Sequence, residues 1–160
     1  MMMTEPSVEY LWNDFVKHTK VSQRPELKEV FAFGAGEEMA DELLELVLQG
    51  KKRATASAYW EYEHFDEPLP KVGDYSIVTD AEGVAGCIIQ TISVSIRPFN
   101  QVTESFAARE GEGDGSLKYW REAHQEFWEK ALKEIDRSFE ETMPVVCEEF
   151  QVVHTAKEPT

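Results

Sequence analysis

Lys52 and Thr55 stand three residues apart in the run Gln49-Gly50-Lys51-Lys52-Arg53-Ala54-Thr55-Ala56-Ser57, which gathers three cations and two hydroxyls inside an otherwise acidic chain. A threonine hydroxyl is a poor nucleophile until a neighbouring base takes its proton. A lysine is that base only where burial brings its pKa towards neutrality. At this spacing the two side chains can share one pocket, leaving Lys51 or a pair of main-chain N–H groups to stabilise an oxyanion. The plainer reading is electrostatic: cations just past a helix C-terminus interact with the macrodipole, worth about 0.3–1 kcal/mol, which accounts for one or two of the three.

The elements around this run must position it. Met39, Ala40, Leu43, Leu44, Val47 and Leu48 recur at helical spacing over 37–48, and Gly50 stands where a left-handed residue ends a helix. Residues 54–59 then read as a strand or extended turn with Thr55 and Ser57 on one side and Ala54 and Ala56 on the other. Upstream, Val8, Leu11, Trp12, Phe15 and Val16 share one face of a helix over 7–18, and 30–33 reads as a strand. Pro68, Pro70 and Gly73-Asp74 mark a turn before a strand over 75–79. Residues 80–83 read as a hairpin into the long apolar run 84–96, where Ile92, Val94 and Ile96 alternate with Ser93 and Ser95 and imply one buried and one exposed face. A short helix over 101–109, a loop with three glycines in 110–115, a helix over 116–139 and a strand over 145–153 complete the chain. Periodicity alone gives an α+β class, built on a strongly bent sheet or small barrel.

At 160 residues, one domain spanning 1–160 is expected, large enough for a core without disulfide or metal staples. The formal charge of −15 argues against polyanion binding over a broad surface, so any RNA contact must be local. The sequence has no apolar run of membrane-spanning length and no leader pattern, and a cytoplasmic protein is expected. Cys87 and Cys147 lie in apolar segments without metal-ligand spacing and read as buried thiols.

The G-K-K-x-x-T pattern after a helix resembles the signature of the ASCH domain family, within the PUA-like superfamily. A second stretch is similar to the long subgroup of that family. It comprises Val102-Thr103-Glu104, Ala107 and Glu110-Gly111-Glu112, then Ser116-Leu117-x-x-Trp120-Arg121-x-x-His124-x-x-Phe127. Pro70-Lys71-Val72-Gly73-Asp74 before a strand adds to the likeness, which covers most of 30–153 and leaves the N-terminal helix 7–18 as an addition. The resemblance implies a PUA-like β-barrel flanked by helices, with the helices that begin at Glu37 and Ser116 at its rim. It also implies a cleft for RNA or a modified nucleoside, and either of two activities: removal of the acyl group of N4-acetylcytidine or cleavage of single-stranded RNA. No cofactor is expected, and the sequence leaves dependence on a divalent metal open.

By position, Lys52 and Thr55 match the family's lysine and threonine, and Glu110 its acidic partner. A carboxylate beside Lys52 favours the ammonium, so Glu110 is left to orient Lys52, relay a proton or recognise the cytosine amino group. Lys51 and Arg53 are the expected phosphate contacts, with Tyr59 or Trp60 stacking on a base. Ser116 suits a helix N-cap that can also touch phosphate, and Arg121 and His124 fall near the same motif. Trp120, Phe127 and Trp128 read as core. The chain is longer than the small amidohydrolases, and its acidic stretch 61–67 is new. The expected arrangement brings Lys52, Thr55 and Glu110 to one accessible cleft ringed by Lys51, Arg53, Arg97, Arg109, Lys118 and Arg121, with the carboxylates of 61–67 and 140–149 elsewhere. A non-catalytic RNA-binding module and an acidic protein-interaction domain are the alternatives.

Overall fold

The computed structural model describes residues 5–156 except 22 and 35. Its elements run α1 (Pro6–His18), β1 (Leu27–Phe31), α2 (Glu37–Leu48), β2 (Ala54–Ala58), α3 (Tyr59–His64), β3 (Tyr75–Thr79), β4 (Ala85–Pro98), α4 (Glu104–Glu110), α5 (Leu117–Ala131) and β5 (Pro144–Thr155). One five-stranded sheet orders them β1-β3-β4-β5-β2. Only the β1–β3 pairing is parallel.

The sheet curls but does not close into the expected barrel. Among the described residues β1 pairs only with β3 and β2 only with β5, so the seam between the two edges carries no backbone ladder. The bend comes from β4, whose register with β5 shifts at Ile88/Ile89 and again at Thr91/Ser93. Each irregularity adds local twist and exchanges the faces of the residues beyond it. Ile92 and Ile96 are accordingly 48% and 47% exposed while Thr91 is buried, which overturns the simple alternation expected there.

Three apolar clusters fasten helices to this sheet, with α1 and α2 on opposite faces of β3 and β4. α1 lays Val8, Leu11 and Phe15 on Ile77, Ala85 and Ile88. α2 seats Leu43, Leu44 and Val47 against Val78, Cys87, Ile89 and Phe150, and ends at Gly50 with φ +78, as its sequence predicts. α5 packs Trp120 and Trp128 with Phe99, Phe106 and Val145 over the Ala54 and Ala58 face of β2. Phe127, expected in the core, is 47% exposed. Both cysteines are buried free thiols, each pushed up to about 12 by burial.

Three boundaries differ from expectation. β1 begins earlier, at Leu27, because an edge strand needs only its ends covered: Lys28, Glu29 and Val30 are exposed along it. The helix expected over 116–139 stops at Ala131, continues as a 3-10 turn over Leu132–Ile135 and breaks at Asp136, which has φ +57. The acidic stretch after β2 contains α3.

Candidate functional site

Gly50 turns the chain out of α2 and aims Lys52 inward. Its Nζ donates to the Ala54 carbonyl at 3.0 Å and to Glu112 Oε2 at 2.9 Å, and lies 3.5 Å from Glu110 Oε1. It also stands 5.0 Å above the Phe33 ring. The Lys52 and Glu110 side chains are 1% and 2% exposed. Glu110 is the last residue of α4, and Gly111 follows it with φ +69. A Cβ at Gly111 would collide with the Lys51 carbonyl oxygen, so glycine is what lets this turn close on the lysine.

α5 completes the network. Trp120 Nε1 donates to Glu110 Oε2, and His124 Nε2 lies 3.1 Å from the same oxygen. His124 Nδ1 is 2.8 Å from the Trp120 carbonyl, so both ring nitrogens face acceptors and the imidazolium form suits the site. Burial pushes the His124 pKa down, but the hydrogen bond to Glu110 and its charge outweigh that and hold it above the ordinary value of 6.5. Burial likewise pushes Glu110 up, and Lys52, His124 and Trp120 together bring it below the ordinary 4.5. Glu110, Glu112 and His124 place three ligand atoms within 4.8 Å of one another, so these residues could hold a metal ion. In the arrangement described, Lys52 supplies positive charge there.

Thr55 faces the other way. It lines a cleft of about 680 Å³ on the concave side of the sheet, within the range of small-molecule sites. All five strands contribute to the wall: Glu29 and Phe31, Thr55 and Ser57, Ser76, Ile89 and Thr91, and Glu148. Phe33 belongs both to this wall and to the underside of Lys52. α3 closes one flank with Tyr62, whose hydroxyl lies 2.9 Å from Ser57 Oγ. Thr91 Oγ1 donates to Glu148 Oε2 at 2.6 Å. Burial raises Glu148, opposed by the Thr91 bond and assisted by Glu29 and Asp74. Burial also raises Glu29, with Lys28 opposing, and Glu61, with Glu134 and Glu67 assisting.

The electrostatic expectation is therefore reversed. Glu29, Glu61, Glu67, Asp74 and Glu148 line the cleft with Lys28 as its cation. None of Lys51, Lys52, Arg53, Arg97, Arg109, Lys118 and Arg121 lines it, and Arg109 pairs with Glu149 at 3.2 Å. Lys51 and Arg53 are exposed outside it. The stretch 61–67, expected to face elsewhere, supplies part of the wall because α3 folds it back across β2. Lys52 and Glu110 do meet, but sealed from water under α5 instead of on an open cleft.

The remaining sequence candidates have structural partners. Trp60 packs against the α5 cluster and carries the Arg137 guanidinium 4.4 Å from its ring centre; neither it nor Tyr59 lines the cleft. Ser116 caps α5 by accepting from the Tyr119 N–H at 3.1 Å. Arg121 donates through Nη2 to the Asn100 carbonyl at 3.2 Å, while its buried Nε has no partner among the described residues. Glu148, Thr91 and Tyr62 escaped the reading of the sequence. A signal for Glu148 was present: two consecutive carboxylates, Glu148-Glu149, in an apolar strand must point to opposite faces, so one of them points inward.

The sequence model of the ASCH domain matches residues 29–154. An ASCH domain from Lactobacillus crispatus JV V101 is 36% identical, superposes with a TM-score of 0.90, and the match covers 96% of this chain and 98% of that one. A protein from Enterococcus faecalis V583 is 38% identical with a TM-score of 0.83, over 94% of this chain and 90% of that one. A mutant form of ZmASCH from Zymomonas mobilis, 14% identical with a TM-score of 0.50 over 82% and 75% of the two chains, shares the fold. No curated protein matches the chain.

Proposed function

The chain belongs to the ASCH domain family, and on that footing we propose that its cleft takes an uncharged nucleoside and hydrolyses an acyl group from the exocyclic nitrogen of a cytidine, as in N4-acetylcytidine. One observation carries the choice over an RNA strand: Thr55 opens onto a wall with carboxylates at Glu29, Glu61, Glu67, Asp74 and Glu148 against Lys28 alone. A phosphate chain is repelled by such a wall, whereas sugar hydroxyls and the exocyclic N–H find acceptors on it.

In this reading the Thr55 hydroxyl attacks the acyl carbon, the C–N bond breaks as the leaving amine takes a proton, and water hydrolyses the acyl-threonine ester to the free acid. Lys52 stays off this route, since it is paired under α5 and does not line the cleft, and the proton the leaving amine takes is the one Thr55 gives up. A second reading, a non-catalytic binding module, is favoured by Lys52, since its Nζ faces three oxygens and no partner that would leave it free to accept.

Incubation with N4-acetylcytidine, and separately with labelled single-stranded RNA, tests both. Cytidine and acetate should appear and the strand should stay whole, with turnover lost in Thr55→Ala. Strand cleavage with acetylcytidine untouched overturns the proposal. Binding without turnover of either leaves the module.

A further inference from the structure

We propose that Glu148 is the residue that reads the nucleobase, its carboxyl group pairing with a ring nitrogen and the adjacent exocyclic N–H of a cytosine-type edge. The inference deepens the nucleoside reading of the same cleft and rests on it. Glu148 lies directly opposite Thr55 in the β2–β5 ladder. Directly paired residues share a face with Cβ atoms about 4.5–5.5 Å apart, so an edge bound at Glu148 brings its exocyclic nitrogen beside the Thr55 hydroxyl.

The carboxyl group is held in place for this task. Oε2 accepts from Thr91, itself 3% exposed on β4, and Oε1 has no hydrogen bond among the described residues while the side chain lines the cleft. In the neutral acid, Oε1–H donates to the ring nitrogen and the second lone pair of Oε2 accepts the amine N–H. Uracil presents an N–H where cytosine presents the bare ring nitrogen, and loses that bond. The ionised carboxylate has no proton to donate, so the preference depends on protonation. The groups bearing on that proton are Glu29 and Lys28 of β1, Asp74 before β3 and Tyr62 of α3, along with Thr91. They are mostly acidic, and burial acts with them to raise the carboxyl above its ordinary value, against the Thr91 hydrogen bond and Lys28.

Calorimetric titration of the full chain with cytidine and with uridine, in buffers of different ionisation enthalpy, tests the proposal. Wild type should prefer cytidine about tenfold, the discrimination typical of one bidentate base contact. At pH values where the free Glu148 carboxyl is ionised, binding should take up protons. Glu148→Gln, whose amide offers the same donor and acceptor without titrating, should keep the preference and abolish proton uptake. Glu148→Leu should bind both nucleosides alike, with a wild-type circular dichroism spectrum showing that it folds. Unchanged discrimination in Glu148→Leu overturns the inference and leaves the nucleoside reading standing. Failure of wild type to bind either nucleoside overturns that reading, and the inference with it.

Discussion

Lys52 Nζ and Glu110 Oε1 face each other at 3.5 Å with both side chains almost wholly shut off from water. A buried charge left without its partner is far more costly than the pair is favourable. Glu110→Ala therefore leaves His124 without its carboxylate and Lys52 with Glu112 alone, and should lower unfolding stability by about 3–5 kcal/mol in urea titration. Lys52→Met combined with Glu110→Gln should lose less than the sum of the two single changes, with a coupling of about 0.5–3 kcal/mol. Strict additivity would show that the two residues do not form one unit.

The same network predicts a pH window. His124 is raised above 6.5, so its contribution is complete below that value and is lost as pH rises through the raised folded pKa. Glu110 is depressed below 4.5, so its contribution is complete above that value and is lost as pH falls through the lowered one. The network should stabilise most between 4.5 and 6.5. His124→Asn should narrow the gap to wild-type melting temperature as pH is raised beyond that window, and the His124 ring should titrate above 6.5 by NMR. A midpoint below 6.5 contradicts the hydrogen-bond geometry.

Glycines in the loop after α4 should differ in their tolerance of alanine. Gly115 has φ +77 and open space around it, so Gly115→Ala should show only the backbone penalty of about 1–2 kcal/mol. Gly111→Ala meets the Lys51 carbonyl as well and should lose more, because either Glu110 or the Lys51 strand entry must move. Equal denaturation midpoints would place the turn differently from what is described here.

Lys51 and Arg53 point to solvent outside the cleft. Their replacement by alanine should leave nucleoside affinity unchanged while lowering the salt dependence of any RNA strand binding by about one counterion each. Loss of nucleoside binding in either variant would move the ligand out of the cleft.

Cys87 and Cys147 are buried with pKa values pushed up to about 12. A thiol-specific reagent at neutral pH should find neither in the native protein and both after denaturation. Rapid native labelling would mean that the sheet opens readily around them.

The α+β class, α2 with its Gly50 stop, the β3–β4 hairpin and the meeting of Lys52 with Glu110 were legible because each rests on local periodicity, turn chemistry or a motif. The face of Thr55 in β2 was legible too, from period-two alternation. What could not be read depended on pairings distant in sequence. The bulge at Thr91/Ser93 inverts Ile92 and Ile96 only because β5 lies alongside, and nothing local announces it. The acidic lining needs α3 folded over β2, so Glu61 and Glu67 read as solvated charge until that packing is known. The missing β1–β2 ladder is a global property of strand order, invisible to any window of residues.

That missing ladder has a mechanical consequence. Each margin of the cleft is a strand stapled along one side only, so parting or drawing together the margins breaks no inter-strand hydrogen bond. Side chains bear on the aperture in place of a ladder: Tyr62 ties α3 to Ser57 of β2, and Lys28 ties β1 to Asp74 and to the Leu69 carbonyl in the segment after α3. A closed barrel would have a bore set by strand number and shear, alterable only by rebuilding the whole sheet. Here the gauge of the opening can be retuned by single substitutions on α3 or in the 65–70 linker, leaving the remainder of the fold unchanged.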